Sequence, residues 1–162
     1  PWRVALCARA RPQDAPAPHP IPRSASGSLD RLSVACRIDP GRALVEAGLH
    51  PATGGTGMQA CSGDMLLEAL VACAGVTLRA VATALEIEIR SGTVRAEGDL
   101  DFRGTLGVSK QAPVGFRAIR LTFVLETGAS PEQLERLLAL TQRYCVVLRT
   151  LRMPPEVSVG WA

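Results

Sequence analysis

The pattern of apolar and polar positions changes period along this chain, and the changes mark out its elements. Trp2 to Arg9 alternates, as do Leu32, Val34, Cys36 and Ile38, with the two-residue period of a strand that buries one face. Asp39-Pro40-Gly41-Arg42 reads as a turn, and Ala43 to Ala47 returns as a short strand. From Ser62 or Gly63 to about Leu85 the period becomes helical. Leu66, Leu70, Cys73, Thr77, Ala80 and Ala84 form one stripe, while Met65, Ala69, Ala72, Val76 and Val81 cover a second face. A helix apolar nearly all round belongs in an interior. In so short a chain, that interior is expected to be its own core on one side and a second subunit on the other. Ser62 is the expected N-cap, with Asp64 favourable in the first turn.

Two strand-like segments follow, Ile87 to Arg103 and Phe116 to Glu126, joined by a Gly- and Pro-containing loop. In the second, Ile119, Leu121, Phe123 and Leu125 alternate with a wetter face. Ser130-Pro131-Glu132-Gln133 combines an N-cap, proline at the first helical position and a capping-box Gln. The helix it starts carries Leu134, Leu137, Leu138 and Thr141, breaks near Arg143-Tyr144, and resumes with Cys145, Leu148 and Leu151. Pro154-Pro155 ends it, and Glu156 to Trp161 reads as a closing strand. Residues 11–27, with Pro12, Pro16, Pro18, Pro20 and Pro22, are expected to be irregular, and residues 48–57 a flexible connector. The order is that of an α+β fold with long helices on antiparallel sheet. Residues 1–28 form an N-terminal strand and Pro-rich loop, and 29–162 the main body of what is one domain overall.

Composition narrows the function. Of the 162 residues 47% are hydrophobic and 20% charged, and aromatics are 4%, so aliphatic side chains fill a globular core. The net charge of +3 is mild, and Lys110 is the only lysine. With neither a basic stripe nor stacking aromatics, no nucleic-acid partner is expected. The nearest approach to a membrane span, Met65 to Leu85, is interrupted by Glu68 and Arg79, so no membrane partner is expected either. Five cysteines without dense, regular spacing do not make a secreted disulfide scaffold. A cytoplasmic, reducing setting is the expectation, one in which redox cysteines tend to be catalytic or sensory.

Cysteine is also the candidate chemistry. Cys73 and Cys145 each lie in an apolar run with a cation close in sequence, Arg79 for the first and Arg143 and Arg149 for the second. A thiol reacts as thiolate; a cation or helix N-terminus favours that form and apolar burial opposes it. Cys73, in mid-helix, can equally be a packed core residue. Cys145 follows a helix break, where free N–H groups can stabilise a thiolate. Spacing does not pair them. Cys7 and Cys36 read as strand residues, Cys61 as a loop residue, and His19 and His50 stand alone in loops. No ligand cluster suggests a metal. Gly54-Gly55-Thr56-Gly57 lacks the Lys-Ser/Thr of a phosphate loop.

Taken together, the segment from Ser62 to Cys73, the strand containing Gly115-Phe-Arg-Ala-Ile-Arg-Leu121 and the segment from Arg143 to Leu151 resemble the OsmC/Ohr family of thiol-dependent peroxidases. The resemblance runs from about Leu29 to the end. It implies antiparallel sheets packed on two long central helices in an intertwined homodimer, with active sites at the subunit interface. It implies reduction of an organic hydroperoxide without a cofactor. Cys73 would be the peroxidatic thiol, Cys145 the resolving thiol that closes a disulfide, and a dithiol reductant would reopen it. Val146 stands where members of the family commonly carry proline after the second cysteine. Asp64, displaced by one position, stands for the acid that orients an activating arginine, and Arg37 and Arg42 are candidates for that arginine. Two competing readings are a non-enzymatic dimer of the same fold that binds a small apolar ligand or senses oxidation, and a structural domain with inert thiols.

Overall fold

The structure, a computed structural model, describes residues 49–161, Ala47 and the backbone of two strands upstream. These are β1 (Ile21–Leu29) and β2 (Cys36–Ile38). After a 3-10 turn at Pro51–Thr53 come α1 (Ser62–Ala84), β3 (Ile89–Leu100), the short α2 (Phe102–Thr105), β4 (Phe116–Thr127), α3 (Pro131–Tyr144) and α4 (Val146–Arg152). The strands form one antiparallel sheet in the order β2-β1-β3-β4. α1 packs against the sheet, and α3 and α4 pack against α1.

The alternation of β4 does what its pattern predicts. Register pairs Val94 with Phe123 and Ala96 with Leu121, so alternate residues of β3 and β4 meet on the face turned to α1. Leu67, Leu70, Val71, Ala74, Leu78 and Ala82 of α1 are buried against Val94 and Ala96 of β3 and Leu137 of α3. Each Leu or Val so enclosed stabilises the fold by roughly 1.5–3 kcal/mol. α1 is long and apolar enough to cross a membrane by length and composition, but these residues make it the core helix of this domain. Close docking needs a small residue at Gly98, where a Cβ would lie 2.4 Å from the Phe116 ring.

Helix ends separate expectation from outcome. α3 carries the full capping box: the Gln133 N–H donates to Ser130 Oγ at 3.3 Å, and the Ser130 N–H donates to Gln133 Oε1 at 2.8 Å. α1 begins at Ser62, but its N-cap is Cys61, which makes no side-chain cap bond. The helix starts one residue earlier than a Ser62 cap requires, because the Cys61 carbonyl already accepts from the Met65 N–H at 3.1 Å. At the other end Ile87 N–H donates to Ala82 O at 2.9 Å and Glu86 N–H to Thr83 O at 3.1 Å. That is a Schellman closure, with Glu86 at φ 56° in the position glycine usually takes.

Three other expectations change. The proline-rich zone is not irregular as far as Gly27, since β1 begins at Ile21. Pro22 is accommodated because β2 pairs only with Gly27 to Leu29; beside Pro22 the described neighbour is Asp99 of β3 alone, and an edge needs no donor from proline. The connector is partly ordered, as His50 Nδ1 accepts from the Ala52 N–H at 3.0 Å and its ring stacks on Phe102 at 5.0 Å. Glu156 to Trp161 pairs with no strand among the described residues. Its alternating Val157, Val159 and Trp161 are exposed, a strand pattern for which this chain offers no described edge. The expected strands at Trp2 to Arg9 and, up to Glu46, at Ala43 to Ala47 lie outside the described residues, as do Cys7, His19 and Arg42.

Candidate active site

Cys73 sits midway along α1, half-buried, on the flank that α4 covers. One turn on, the Thr77 hydroxyl donates to the Cys73 carbonyl at 2.7 Å. Cys145 lies where α3 stops and α4 starts. Its N–H donates to Thr141 O at 3.0 Å, closing α3, and its carbonyl accepts from the Arg149 N–H at 2.9 Å, opening α4. The backbone between the two bonds is extended, at φ −69° and ψ 108°. The break expected near Tyr144 is therefore this single residue. The first amides of α4 have no earlier carbonyl within their own helix to donate to.

Those amides reach across to α1. Burial works against the Cys73 thiolate, but is outweighed by the Val147 N–H, the Cys145 thiol, the Val146 N–H and the Thr77 hydroxyl, and the thiol ends below its ordinary value. The amides and the Cys145 thiol are the true donors, since Thr77 has one proton and gives it to the Cys73 carbonyl. For Cys145 the balance reverses. Burial pushes its thiol up, contact with Cys73 adds to the rise despite opposing Leu148 and Val147 N–H groups, and it stands at about 11. Cys145 is fully enclosed, so it donates its S–H and leaves the charge to its neighbour. The pair has an acidic member and a proton-holding member, the arrangement that environment imposes on two like groups in contact.

A cavity of about 550 Å³ lies between α1, β4, α3 and α4, lined by neighbours of both thiols on their helices but by neither thiol itself. Leu66 and Leu70 of α1, Phe116 and Phe123 of β4, and Leu148 and Arg152 of α4 are among its lining residues. Leu70 and Leu148 are each one helical turn from a thiol in sequence, and the chamber they line is mixed, its apolar side chains facing Arg117, Gln142 and Arg152. A second cavity, of about 370 Å³, lies at the start of α1 against His50, Cys61 and Phe102.

The structure thus brings together Cys73 and Cys145, which lie on different helices. Asp64 is half-buried in the first turn of α1, roughly 13 Å along the axis from Cys73 at 1.5 Å per residue. Arg37 belongs to β2, a strand that contacts α1. Among the described residues, the groups that act most on the Cys73 sulfur are two main-chain amides, the Cys145 thiol and the Thr77 hydroxyl. The arginines nearest Cys145 in sequence turn away: Arg143 lies over the Tyr144 ring at 5.4 Å, and Arg149 donates to Met153 Sδ at 2.8 Å. The break amides act on both sulfurs, Val146 and Val147 on Cys73 and Val147 and Leu148 on Cys145. Sequence reasoning missed Val146, Val147 and Thr77. Their signals were the helix break after Cys145 for the two amides and, for Thr77, a place one turn after Cys73.

Comparison with known proteins agrees with this fold. The fold matches the crystal structure of an OsmC-like protein from Mycoplasma pneumoniae with a TM-score of 0.57 at 16% identity, over 82% of this chain and 89% of that one. It matches an OsmC-like hydroperoxide resistance protein from Jannaschia sp. with a TM-score of 0.57 at 16% identity, over 86% and 93% of the two chains. No curated protein matches the chain significantly. The family profile for OsmC-like proteins matches residues 55–160, which include α1, α4 and both thiols, and the chain belongs to the OsmC-like family.

Proposed function

We propose that the protein is a thiol-dependent peroxidase that reduces organic hydroperoxides. The observation that carries this reading is the contact between two thiols of opposite tendency, Cys73 held toward thiolate and Cys145 held as thiol. The Cys73 thiolate attacks the outer oxygen of ROOH, the O–O bond breaks, and the departing alkoxide takes up a proton as ROH. Sulfur is oxidised to sulfenic acid, Cys73–SOH. The charge that helped hold the Cys145 proton is then gone, so Cys145 becomes easier to ionise. It attacks the sulfenic sulfur, expels water and forms the Cys73–Cys145 disulfide. A dithiol reductant reopens it by exchange. The Leu70, Phe123 and Leu148 side chains of the neighbouring chamber would receive the alkyl substituent, with Arg117, Gln142 and Arg152 at its polar side.

The working unit in this proposal is a homodimer in a reducing, cytoplasmic setting. In support, Val157, Val159 and Trp161 form an exposed alternating strand pattern, and Val76 and Met65 of the core helix remain exposed. A second subunit would cover both. The activating cation, if one is used, would come from the Arg37–Arg42 region, since β2 runs beside α1.

The test is a peptide mass map after brief exposure to an alkyl hydroperoxide, with and without a dithiol. The expected result is a Cys73–Cys145 link that forms rapidly and reopens. Two free thiols after exposure would overturn the reading.

A further inference from the structure

We propose that the chamber of about 550 Å³ between α1, β4, α3 and α4 is a binding site for a single-chain aliphatic carboxylate, with Arg117 and Arg152 receiving the carboxylate and the leucine and phenylalanine wall receiving the chain. The site stands on its own residues and does not depend on Cys73 turning over a peroxide.

Arg117 is placed by an irregularity in the sheet. Leu100 pairs with Phe116 and Asp99 with Ala118, so Arg117 is the extra residue of a bulge, a feature that re-aims side chains. Consecutive strand residues ordinarily point to opposite faces, yet Phe116 and Arg117 both line the chamber. Asp99 and Asp101 feel the Arg117 charge through space, but each is already engaged by another arginine. Asp99 accepts from Arg120 at 2.7 and 2.8 Å, and Asp101 from Arg103 at 2.9 and 2.6 Å. Among the described residues Arg117 has no ion pair or side-chain hydrogen bond of its own.

Arg152, in the last turn of α4, brings a second guanidinium. Its Nη1 donates to Gln142 Oε1 at 3.0 Å. That acceptor is neutral, so the bond orients the guanidinium and leaves its charge uncompensated. The rest of the wall includes Leu66 and Leu70 of α1, Leu121 and Phe123 of β4 and Leu148 of α4, and among the described residues no carboxylate lines the chamber. Two positive charges set in an otherwise apolar wall are the complement of an aliphatic chain with an anionic end. An arginine fork takes both oxygens of a carboxylate. With Arg152 already tied to Gln142, one uncommitted fork and a second charge in the same chamber suit a monoanion.

The experiment is calorimetric titration of the full-length protein with octanoate and with octanol, which share a chain and differ in charge, in wild type, R117Q, R152Q and R136Q. Octanoate is expected to bind saturably and about tenfold more tightly than octanol, the worth of one charge-assisted pair. R117Q and R152Q should each weaken octanoate about tenfold and leave octanol unchanged, which also shows that the chamber still forms. R136Q removes a charge of α3 that does not line the chamber and should match wild type. Absence of saturable octanoate binding would overturn the proposal, as would octanol binding as tightly as octanoate. Octanoate affinity that ignores both R117Q and R152Q, or falls equally in R136Q, would overturn it too. A salt series on the wild type needs no variant to fold: added sodium chloride should weaken octanoate and not octanol, and an octanoate affinity indifferent to salt would count against the site. No peroxide enters these titrations. Octanoate bound as expected beside unreactive thiols would strike the peroxidase reading alone, and the converse would strike this proposal alone.

Discussion

Cys73 and Cys145 touch, have the same chemistry and share the same core, yet their acidities are displaced in opposite directions. The difference lies in the backbone around them. Cys73 is in the middle of an unbroken helix, where the neighbouring amides serve the helix's own bonds, and its donors come from the next helix. Cys145 creates the break that frees those donors, but is itself enclosed and adjacent to a charge. The more acidic thiol is thus favoured by donors on its neighbour's helix, and the residue at the break is the less acidic of the two.

The largest expected effect breaks the pair chemically. Cys73→Ser should abolish hydroperoxide consumption, while Cys145→Ser should consume one equivalent and stop, leaving a Cys73 sulfenate that a dimedone adduct reveals; equal turnover in both would show that the thiols are not a peroxidatic and resolving pair. Next, Cys145→Ala removes the S–H donor to Cys73 and should raise the Cys73 midpoint by about one pH unit, read from its rate of alkylation by iodoacetamide against pH.

Stability against pH sharpens the contrast, because the two thiols act with opposite sign. The folded state holds the Cys145 proton up to about 11, whereas an ordinary thiol releases it at 9.0. Above the lower value the unfolded chain binds fewer protons, and stability falls as pH rises toward the upper one. The folded Cys73 releases its proton first, so its contribution is fully present above 9.0 and is lost as pH falls through its depressed midpoint. Thermal unfolding should therefore show an alkaline decline that is blunted in Cys145→Ala and a decline on the acid side of 9.0 that is blunted in Cys73→Ala. The smallest effect belongs to Thr77→Val. Its hydroxyl proton is already committed to a carbonyl, so the Cys73 midpoint should rise by less than about half a pH unit; a rise as large as that of Cys145→Ala would make Thr77 a direct donor.

What was legible in the sequence follows from range. The core helix was placed nearly to the residue by its apolar period, and the Ser130 capping box was visible because all its members are within a few residues of each other. The break before α4 was legible for the same reason. Its meaning was not. Free amides at Cys145 suggested a stabilised Cys145 thiolate; the Leu148 and Val147 amides do favour it, but burial and Cys73 outweigh them, and the Val146 and Val147 amides act on Cys73 as well. The flanking Arg143 and Arg149 misled because proximity in sequence on a helix does not set direction. The closing strand misled for a different reason: a strand pattern states a capacity to pair, and its partner is not among the described residues of this chain.

Trp161, at the end of that segment, is fully exposed and is one of only two tryptophans in the chain. It is consequently a built-in optical reporter. In water its indole should emit at long wavelength, and any apolar surface that seats it should shift the emission to the blue. With Trp2 replaced by Phe, a blue-shifted emission that returns to long wavelength on dilution would test the proposed self-association by intrinsic fluorescence alone, with no label attached.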